Sequence, residues 1–387
     1  MTKKTVESRE VEFLFEPNEF YSRVLQLIQI AQKRVAIATL YFGDSSDSER
    51  RLIAELGNCA KRNVEVDILL DGPRNTRRNC RILPLLRQLA PRAKIHSYYS
   101  PFYKCFLPDR IRESLGTQHM KLVIADDTVL ITGANMSEIY FKNRQDRYCI
   151  VKRAPGLANS IIDQIFHKSS SAISTKSTPQ LDKNPVDIDF LITNGGERDE
   201  VTESLLNSLA KDPHDQVVVT LSTPYLNPTP EVLNALLSIN RVNIITNSLE
   251  SNAFYNSRGL SKHVPLAYEI ILRDLLHATR KSNNIRFLQY NRAAWSFHPK
   301  GIWVERNGKI DTTIVGSSNF GYRSHYRDLE ISFKLSSECT VFQSQLKREL
   351  TENILNFCSP IVSSQQLSKR SPPWLAYLVR GPLKTLL

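Results

Sequence analysis

Two segments of the 387-residue chain repeat one order of reactive residues. The first begins with His119 and Lys121, the second with His298 and Lys300, and each continues as an apolar stretch, a polar turn and a second apolar stretch. Residues two apart on an extended strand point to the same side, so each histidine should project together with its lysine. A neutral imidazole can attack phosphorus, and a lysine supplies positive charge to a phosphate oxygen. The pattern therefore predicts phosphoryl transfer.

Each segment ends in a glycine-containing turn with an asparagine, Asn135 or Asn319. A carboxylate follows each asparagine after eleven residues, at Asp146 and Glu330. The amide can donate to a phosphate oxygen, and a carboxylate on the second ring nitrogen fixes the tautomer of a histidine and stabilises its imidazolium. The equal spacing predicts a returning strand or loop that brings an acid back beside the histidine. One histidine would then be the nucleophile, while the other acts as acid and later as base.

The reactive segments belong to two copies of one helix–strand plan, which is typical of an α/β sheet. The spacing of apolar residues predicts helices over residues 18–33, 48–61 and 199–210, and a further helix that starts near Pro230. Strands are predicted at Val35–Phe42, Val64–Leu70, Val217–Ser222 and Val242–Asn247. The Ser-, Thr-, Lys- and Pro-rich stretch Lys168–Pro185 is typical of a mobile linker. We therefore expect two domains, residues 1–180 and 181–387.

Composition limits the partners of the chain. A net charge of +12 favours anionic partners, namely nucleic acid, an acidic membrane surface or phosphorylated substrates. No basic stripe interleaved with aromatic residues is present, so nucleic acid is not expected. The six cysteines are scattered, which argues against disulfides or a zinc site and favours a reducing compartment. No apolar run approaches the roughly 18–20 residues that span a bilayer.

The reactive segments resemble the phospholipase D superfamily, in which two HxKxxxxD motifs meet at one active site. His119, Lys121 and Asp126 match the first motif in full, whereas Glu305 stands where the second motif has aspartate. The stretch GSSN before Phe320 matches the GSxN pattern of the superfamily, and GAN in the first copy places its asparagine one residue early. The resemblance implies two similar α/β/α domains with the active site at their interface. It also implies catalytic roles for His119, Lys121, Asp126, His298 and Lys300.

A narrower resemblance covers nearly the whole chain and is carried by long segments. These are TGANMSEIYFKNRQDRY, STPYLNP, WSFHPKG, GSSNFGYRSHYRDLE and the tail PPWLAYLVRGPLKTLL. They are similar to the eukaryotic phosphatidylglycerophosphate synthase family, which joins CDP-diacylglycerol to glycerol 3-phosphate and releases CMP. The resemblance implies a mitochondrial protein that is peripheral on the inner membrane. It gives His119 as the nucleophile, because its motif is intact, and His298 as the base.

An acceptor that carries its own phosphate requires a second basic locus. Arg147 and Arg323 are favoured because they lie beside the motifs, and the other candidates are Arg74, Arg77, Arg78, Arg144 and Arg327. Lys121 and Lys300 can offset the negative charge of a phosphate, so a metal is not required for that purpose. Whether a divalent cation assists binding of the donor is not decided by the sequence. Lipid contact is expected at the aromatic loop Pro101–Pro108 or the tail Trp374–Leu387, with ordinary packing as the alternative for both.

Three other functions fit the same machinery. A phospholipase D-type phosphatidylserine synthase would use the same donor with serine as the acceptor. A phospholipase or nuclease would use water. A non-catalytic scaffold is suggested only by Glu305 in the altered motif, and the retention of both histidines and both lysines argues against it.

Overall fold

The computed structural model describes residues 1–77, 80–103, 112–113, 115–166, 184–212, 216–361, 367, 373–381 and 383–387. The described strands are β1 (Thr2–Val6), β2 (Val11–Leu14), β3 (Arg34–Thr39), β4 (Glu65–Asp71), β5 (Lys94–Tyr98), β6 (Leu122–Ala125), β7 (Thr128–Thr132), β8 (Arg144–Gln145), β9 (Tyr148–Val151), β10 (Val186–Asn194), β11 (Val217–Ser222), β12 (Val242–Asn247), β13 (Ile285–Tyr290), β14 (Ser296–Phe297), β15 (Gly301–Arg306), β16 (Lys309–Gly316), β17 (Leu329–Ser336) and β18 (Cys358–Pro360).

The described α-helices are α1 (Pro17–Ile30), α2 (Asp47–Lys61), α3 (Gly72–Asn75), α4 (Ile82–Leu89), α5 (Glu138–Lys142), α6 (Pro155–Phe166), α7 (Glu200–Ala210), α8 (Pro230–Leu237), α9 (Val264–Ala278), α10 (Tyr322–Tyr326), α11 (Thr340–Asn353) and α12 (Pro373–Arg380). Short 3-10 helices cover Ser8–Glu10, Gly259–His263 and Leu355–Phe357.

Two mixed sheets with the same internal order form the centre of the protein. The first sheet contains the order β9–β7–β6–β3–β4–β5, and the second contains β17–β16–β15–β11–β12–β13. In each, the last three strands are parallel and the neighbouring strand is antiparallel to them. The predicted α/β class and the repeat of one plan are confirmed.

The helices flanking the first sheet form where the sequence predicts them. Ser46 caps α2: its hydroxyl accepts from the Glu49 amide, and the Glu49 carboxylate accepts from the Ser46 amide. The strand predicted over Val35–Phe42 ends earlier, at Thr39. There the chain leaves the sheet, and Phe42 makes an isolated bridge to Met136. The segment after Thr39 therefore lies beside the turn that contains Gly133 and Asn135 instead of extending the sheet.

The two halves are tied together by exchanged elements. Strand β1 joins the edge of the second sheet through β10, although it belongs to the first 180 residues. Helix α11 of the second half packs on β2, where Gln345 Oε1 accepts a hydrogen bond of 2.9 Å from the Phe13 amide. One apolar core contains Ile131 of the first half together with Phe333 and Phe342 of the second. The predicted linker, Lys168–Pro185, lies outside the described residues except for positions 184 and 185.

Arg147 forms a buried brace between the halves. Its Nε and Nη2 donate to the Glu349 carboxylate at 2.9 and 2.7 Å, and its Nη1 donates to the Ile314 carbonyl at 2.6 Å. The guanidinium lies 3.8 Å from the ring centroid of Trp303, whose indole donates to the same carboxylate at 2.9 Å. Gly301 lies so close that a side chain there would strike the guanidinium. Arg147 therefore connects the returning strand of the first half to the sheet and helix of the second.

No described helix has the length and apolarity that crossing a bilayer requires. The five cysteines within the described residues, Cys59, Cys80, Cys149, Cys339 and Cys358, are free thiols.

We predict that Arg147→Met destabilises the protein by about 3–5 kcal/mol, because it leaves Glu349 buried without its partner. The double variant Arg147→Met, Glu349→Leu should recover part of this loss, since both charges are then removed. The free energy of unfolding, measured by urea titration with circular dichroism, checks both values. As a control, Arg348→Met removes an exposed arginine and should change stability by less than about 0.5 kcal/mol. A loss below about 1 kcal/mol for Arg147→Met would contradict the bracing role.

Candidate active site

Both reactive segments meet at a cavity of about 630 Å³ between the two halves. His119 and Asn135 of the first half and His298 and Asn319 of the second line its wall. Lys121 and Lys300 are fully buried beside the histidines. The His–Lys pairs and asparagines predicted from the sequence therefore come together in one place.

Each histidine is held by a carboxylate from the opposite half. His119 Nδ1 lies 2.9 Å from Glu330 Oε1, and His298 Nδ1 lies 2.7 Å from Asp146 Oδ2. The acid that follows each asparagine thus comes back beside a histidine as predicted, but beside the histidine of the other copy. A carboxylate on Nδ1 stabilises the tautomer that carries its proton there, which leaves a lone pair on Nε2 of a neutral ring. His298 Nε2 lies 3.1 Å from Lys300 Nζ and 3.3 Å from the Tyr140 hydroxyl.

Backbone hydrogen bonds between the halves explain the crossed pairing. The His119 amide donates to the Leu329 carbonyl at 2.8 Å, one residue before Glu330. The His298 amide donates to the Gln145 carbonyl at 2.9 Å, one residue before Asp146, and β14 pairs with β8 in parallel. These backbone hydrogen bonds therefore align each histidine with the segment of the opposite half that carries its acid.

Burial controls the protonation of these groups. Burial, followed by the charge of Lys121, holds the pKa of His119 well below its usual value. Burial and then Lys300 do the same to the pKa of His298. Burial also lowers the pKa of Lys300 to about 8 and raises that of Asp146 to about 6. Near neutral pH the site thus presents neutral imidazoles beside a charged lysine and a carboxylate.

Further hydrogen bonds hold the carboxylates of Glu330 and Asp146 in place. Glu330 accepts a short hydrogen bond from the Ser317 hydroxyl, and Asp146 Oδ1 accepts from the Arg147 amide at 2.8 Å. Gly133 allows this approach, since a Cβ there would lie 2.5 Å from Asp146 Oδ1. The glycine of the first turn is needed for space beside the acid.

The two asparagines differ in their partners. Asn135 Oδ1 accepts from the Thr39 hydroxyl at 3.3 Å, and its Nδ2 donates to Tyr140 Oη at 3.1 Å. Asn319 Oδ1 is buried without a hydrogen-bond partner among the described residues. Both side chains reach the cavity, but only Asn319 keeps its carbonyl oxygen uncommitted.

Asp126 does not lie at the site, in contrast to its predicted catalytic role. It occupies the turn after β6, at the end of the strand away from His119, with φ of 51°. Its carboxylate accepts from the amides of residues 32, 33 and 34 at 2.7–3.0 Å and so fixes the start of β3. Glu305, its counterpart, accepts from Lys347 at 3.0 Å on the protein surface. The acid of the motif is structural here, and its replacement by glutamate leaves the histidines untouched.

Arg147, which the sequence predicts as a phosphate ligand, does not line the cavity. It is 1% exposed, and its Nε and Nη2 donate to Glu349 in the brace between the halves. Arg323 does line the cavity, where its Nε donates to Asp328 at 3.0 Å. Arg327 donates to the Thr385 carbonyl at 2.9 Å. Arg78 lies outside the described residues.

Several cavity residues had no role assigned from the sequence. The Tyr140 hydroxyl lies 3.3 Å from His298 Nε2, and Tyr225 and Tyr268 form part of the same wall. Asp328 Oδ1 accepts from the Thr117 amide at 2.8 Å. The family-like segments contain Tyr140, Tyr225 and Asp328, but sequence spacing gives no signal for which way an isolated tyrosine points.

The described residues include one group whose ligand atoms could hold a metal ion: His119, Asp328 and Glu330, with atoms within 4.8 Å of one another. The Asp328 oxygens already accept from Thr117 and Arg323, and the Glu330 oxygens face His119 and Ser317. The donor set is therefore committed to protein hydrogen bonds, and a metal would have to displace them.

Curated relatives align along most of the chain. A Dictyostelium discoideum protein named "Probable CDP-diacylglycerol--glycerol-3-phosphate 3-phosphatidyltransferase" is 30% identical, across 89% of this chain and 72% of that protein. Mitochondrial proteins of the same activity name from Gallus gallus and Homo sapiens are 28% and 26% identical. They align with 95% and 96% of this chain, and with 81% and 82% of their own lengths.

Solved structures share the fold. A phosphatidylserine synthase from Haemophilus influenzae superposes with a TM-score of 0.78 at 19% identity, covering 100% of this chain and 97% of that one. A polyphosphate kinase from Porphyromonas gingivalis gives 0.59 at 12% identity, covering 97% of this chain and 54% of the other. At these identities the likeness concerns the fold alone.

A family model described as "Cardiolipin synthase, PLD-like domain" matches residues 24–169 and 214–354. The two matched ranges contain the two His–Lys segments and both carboxylates that cross between the halves. With the duplicated sheets and the shared cavity, this match shows that the chain belongs to the phospholipase D-like family.

Proposed function

We propose that the protein is a phosphatidyltransferase that makes phosphatidylglycerophosphate and CMP from CDP-diacylglycerol and sn-glycerol 3-phosphate. The observation that carries the proposal is the pair of histidines lining one cavity, each with its Nδ1 on a buried carboxylate and a buried lysine beside it. The names of the relatives supply the donor and the acceptor.

In the first half-reaction, His119 Nε2 attacks the phosphatidyl phosphorus. A phosphorus–nitrogen bond forms, the bond from phosphorus to the bridging oxygen breaks, and CMP leaves with that oxygen. His119 suits this role because its side chain is 14% exposed toward the cavity, whereas that of His298 is 6% exposed and its Nε2 faces the Tyr140 hydroxyl. Glu330 stabilises the imidazolium that develops.

In the second half-reaction, a hydroxyl oxygen of glycerol 3-phosphate attacks the same phosphorus. The phosphorus–nitrogen bond breaks, and the hydroxyl proton passes to His298, which releases it to solvent. An alcohol is a poor nucleophile until it is deprotonated, so this step depends on the base more than the first depends on an acid. Asp146 compensates the charge that His298 gains.

The phosphoryl oxygens need positive charge and donors in the transition state. Lys121 and Lys300 supply the charge from within the protein, and Asn319 supplies an amide that faces the cavity. We propose that the chemistry needs no further cofactor and that nucleic acid is not a partner.

Two other acceptors can use the same phosphoenzyme. Serine would give a phosphatidylserine synthase, the activity named for the Haemophilus influenzae neighbour, and water would give a phosphodiesterase. The likeness of fold does not favour serine, because the histidine machinery is indifferent to the acceptor. The names of the relatives favour glycerol 3-phosphate.

We propose that the protein acts peripherally on the mitochondrial inner membrane, with α12 facing the lipid. This helix buries Leu375 and Val379 against α9 and leaves Trp374 50% and Tyr377 76% exposed. The following residues Leu386 and Leu387 line the cavity. A donor with two acyl chains must meet the bilayer near the site, and α12 places aromatic side chains there. The aromatic loop Pro101–Pro108, the other expected contact, lies partly outside the described residues.

We predict that the protein transfers label from radioactive glycerol 3-phosphate into lipid in micelles that contain CDP-diacylglycerol. His119→Ala and His298→Ala should each abolish transfer while leaving the melting temperature near that of the native protein. Asp126→Asn should lower stability more than it lowers the specific activity of the folded fraction. Incorporation of serine in place of glycerol 3-phosphate would overturn the acceptor, and CMP release without any incorporation would make the protein a hydrolase.

We predict that Trp374→Ser with Tyr377→Ser weakens binding to anionic phosphatidylglycerol vesicles several-fold, because two exposed aromatic side chains are lost. Vesicle sedimentation measures this. Val341→Ser removes a side chain that is 61% exposed on α11 and serves as the matched control. Equal binding by the double variant and the control would contradict the proposed membrane face.

A further inference from the structure

Among the five described arginines that line the cavity, Arg144 is the one that is buried and has no described carboxylate as a partner. Arg74 lies 3.6 Å from Glu113, Arg77 makes a closer ion pair with the same carboxylate, and Arg323 is paired with Asp328 at 3.0 Å. Each of these three arginines therefore has an acidic partner, although Arg74 and Arg77 share one carboxylate.

The remaining two arginines of the cavity, Arg144 and Arg258, differ in exposure. Arg258 is exposed at the rim, where solvent screens its charge. Arg144 is 7% exposed, and none of the described carboxylates lies within ion-pair distance of it. Its Nε donates to the Ser296 hydroxyl at 2.9 Å, and its guanidinium lies 4.5 Å from the centroid of the Tyr140 ring. A buried charge of this kind is costly unless an anion joins it.

The position of Arg144 indicates which anion that is. Arg144 opens β8, whose partner strand β14 runs directly into His298. The Tyr140 ring lies between the two, with its centroid 5.1 Å from that of the His298 imidazole. The guanidinium is thus separated by one ring from His298, the histidine proposed as the base.

We propose that Arg144 is the anchor for a phosphate monoester bound next to His298. This rests on the proposed function, in which the transferred phosphorus is held by the buried lysines and a second phosphate must be accommodated beside it. Two molecules carry such a group: CMP as it leaves, and glycerol 3-phosphate as it enters. Arginine binds phosphate through paired, charge-assisted hydrogen bonds, which also fix the orientation of the ligand.

The test compares ligands that differ only in their phosphate. In Arg144→Gln, the KM for glycerol 3-phosphate, the Kd for CMP or both should rise at least about tenfold, whereas transfer to glycerol and binding of cytidine should change less than twofold. CMP binding is measured by calorimetry without turnover, so it tests Arg144 even if the acceptor proves to be another molecule. A rise in the KM alone assigns the anchor to the acceptor, and a rise in the Kd alone assigns it to CMP.

A folding defect is separated from a binding defect by two further variants. Arg144→Lys retains the charge and should recover part of the affinity for the phosphorylated ligand. Arg348→Gln removes an exposed arginine outside the cavity and should alter neither constant. The proposal is overturned if Arg144→Gln leaves both the KM and the Kd within twofold. It is also overturned if glycerol and cytidine weaken as much as their phosphorylated counterparts.

Discussion

The site depends on two histidine–carboxylate hydrogen bonds that cross the interface between the halves. Neither half contains a complete unit: the first supplies His119 and Asp146, and the second supplies His298 and Glu330. The interface must therefore hold both contacts to within about 0.5 Å of the productive geometry. The exchanged strand β1, the shared apolar core and the Arg147 brace all act on that interface. Packing between the halves is thus a requirement of the chemistry as well as of stability.

Burial keeps the histidines of the site reactive, and it also raises the energetic cost of the charged groups around them. Two lysines and two carboxylates lie in a region from which water is largely excluded, where unpaired charges are costly. Burial lowers the pKa of both lysines, and the charges of Glu330 and Asp146 oppose that effect. Burial also keeps the histidines neutral and therefore nucleophilic. Arg144 stands apart from this balance. A buried cation at the cavity wall without an acidic partner among the described residues is suited to an anion that arrives with the substrate.

The sequence allowed the repeat, the fold class and the meeting of both His–Lys pairs to be predicted, because each rests on local spacing or on a strong motif. The crossed pairing was not predictable from the sequence. Asp146 and Glu330 follow their asparagines at the same spacing, and that spacing is compatible with an acid that contacts the histidine of its own copy or the histidine of the other copy. The pairing is decided by hydrogen bonds of the His119 and His298 amides to the opposite half.

Asp126 and Arg147 show a second limit of sequence reasoning. Both lie within or beside the motifs, yet one fixes the start of β3 and the other braces the interface. A position in or beside a motif indicates that a residue has a structural or catalytic role, but it does not show which of the two. Arg144, three residues before Arg147, could be separated from it only once burial and partners were known.

Trapping the covalent intermediate tests the proposed mechanism most directly. His298→Ala is mixed with CDP-diacylglycerol labelled in its phosphatidyl phosphate, without acceptor, and the acid-labile, base-stable label is located by peptide mapping. We predict a phosphoramidate on His119 that persists because the base for the second step is missing. Label on another residue, or an unlabelled protein that still releases CMP at the native rate, would contradict transfer through His119.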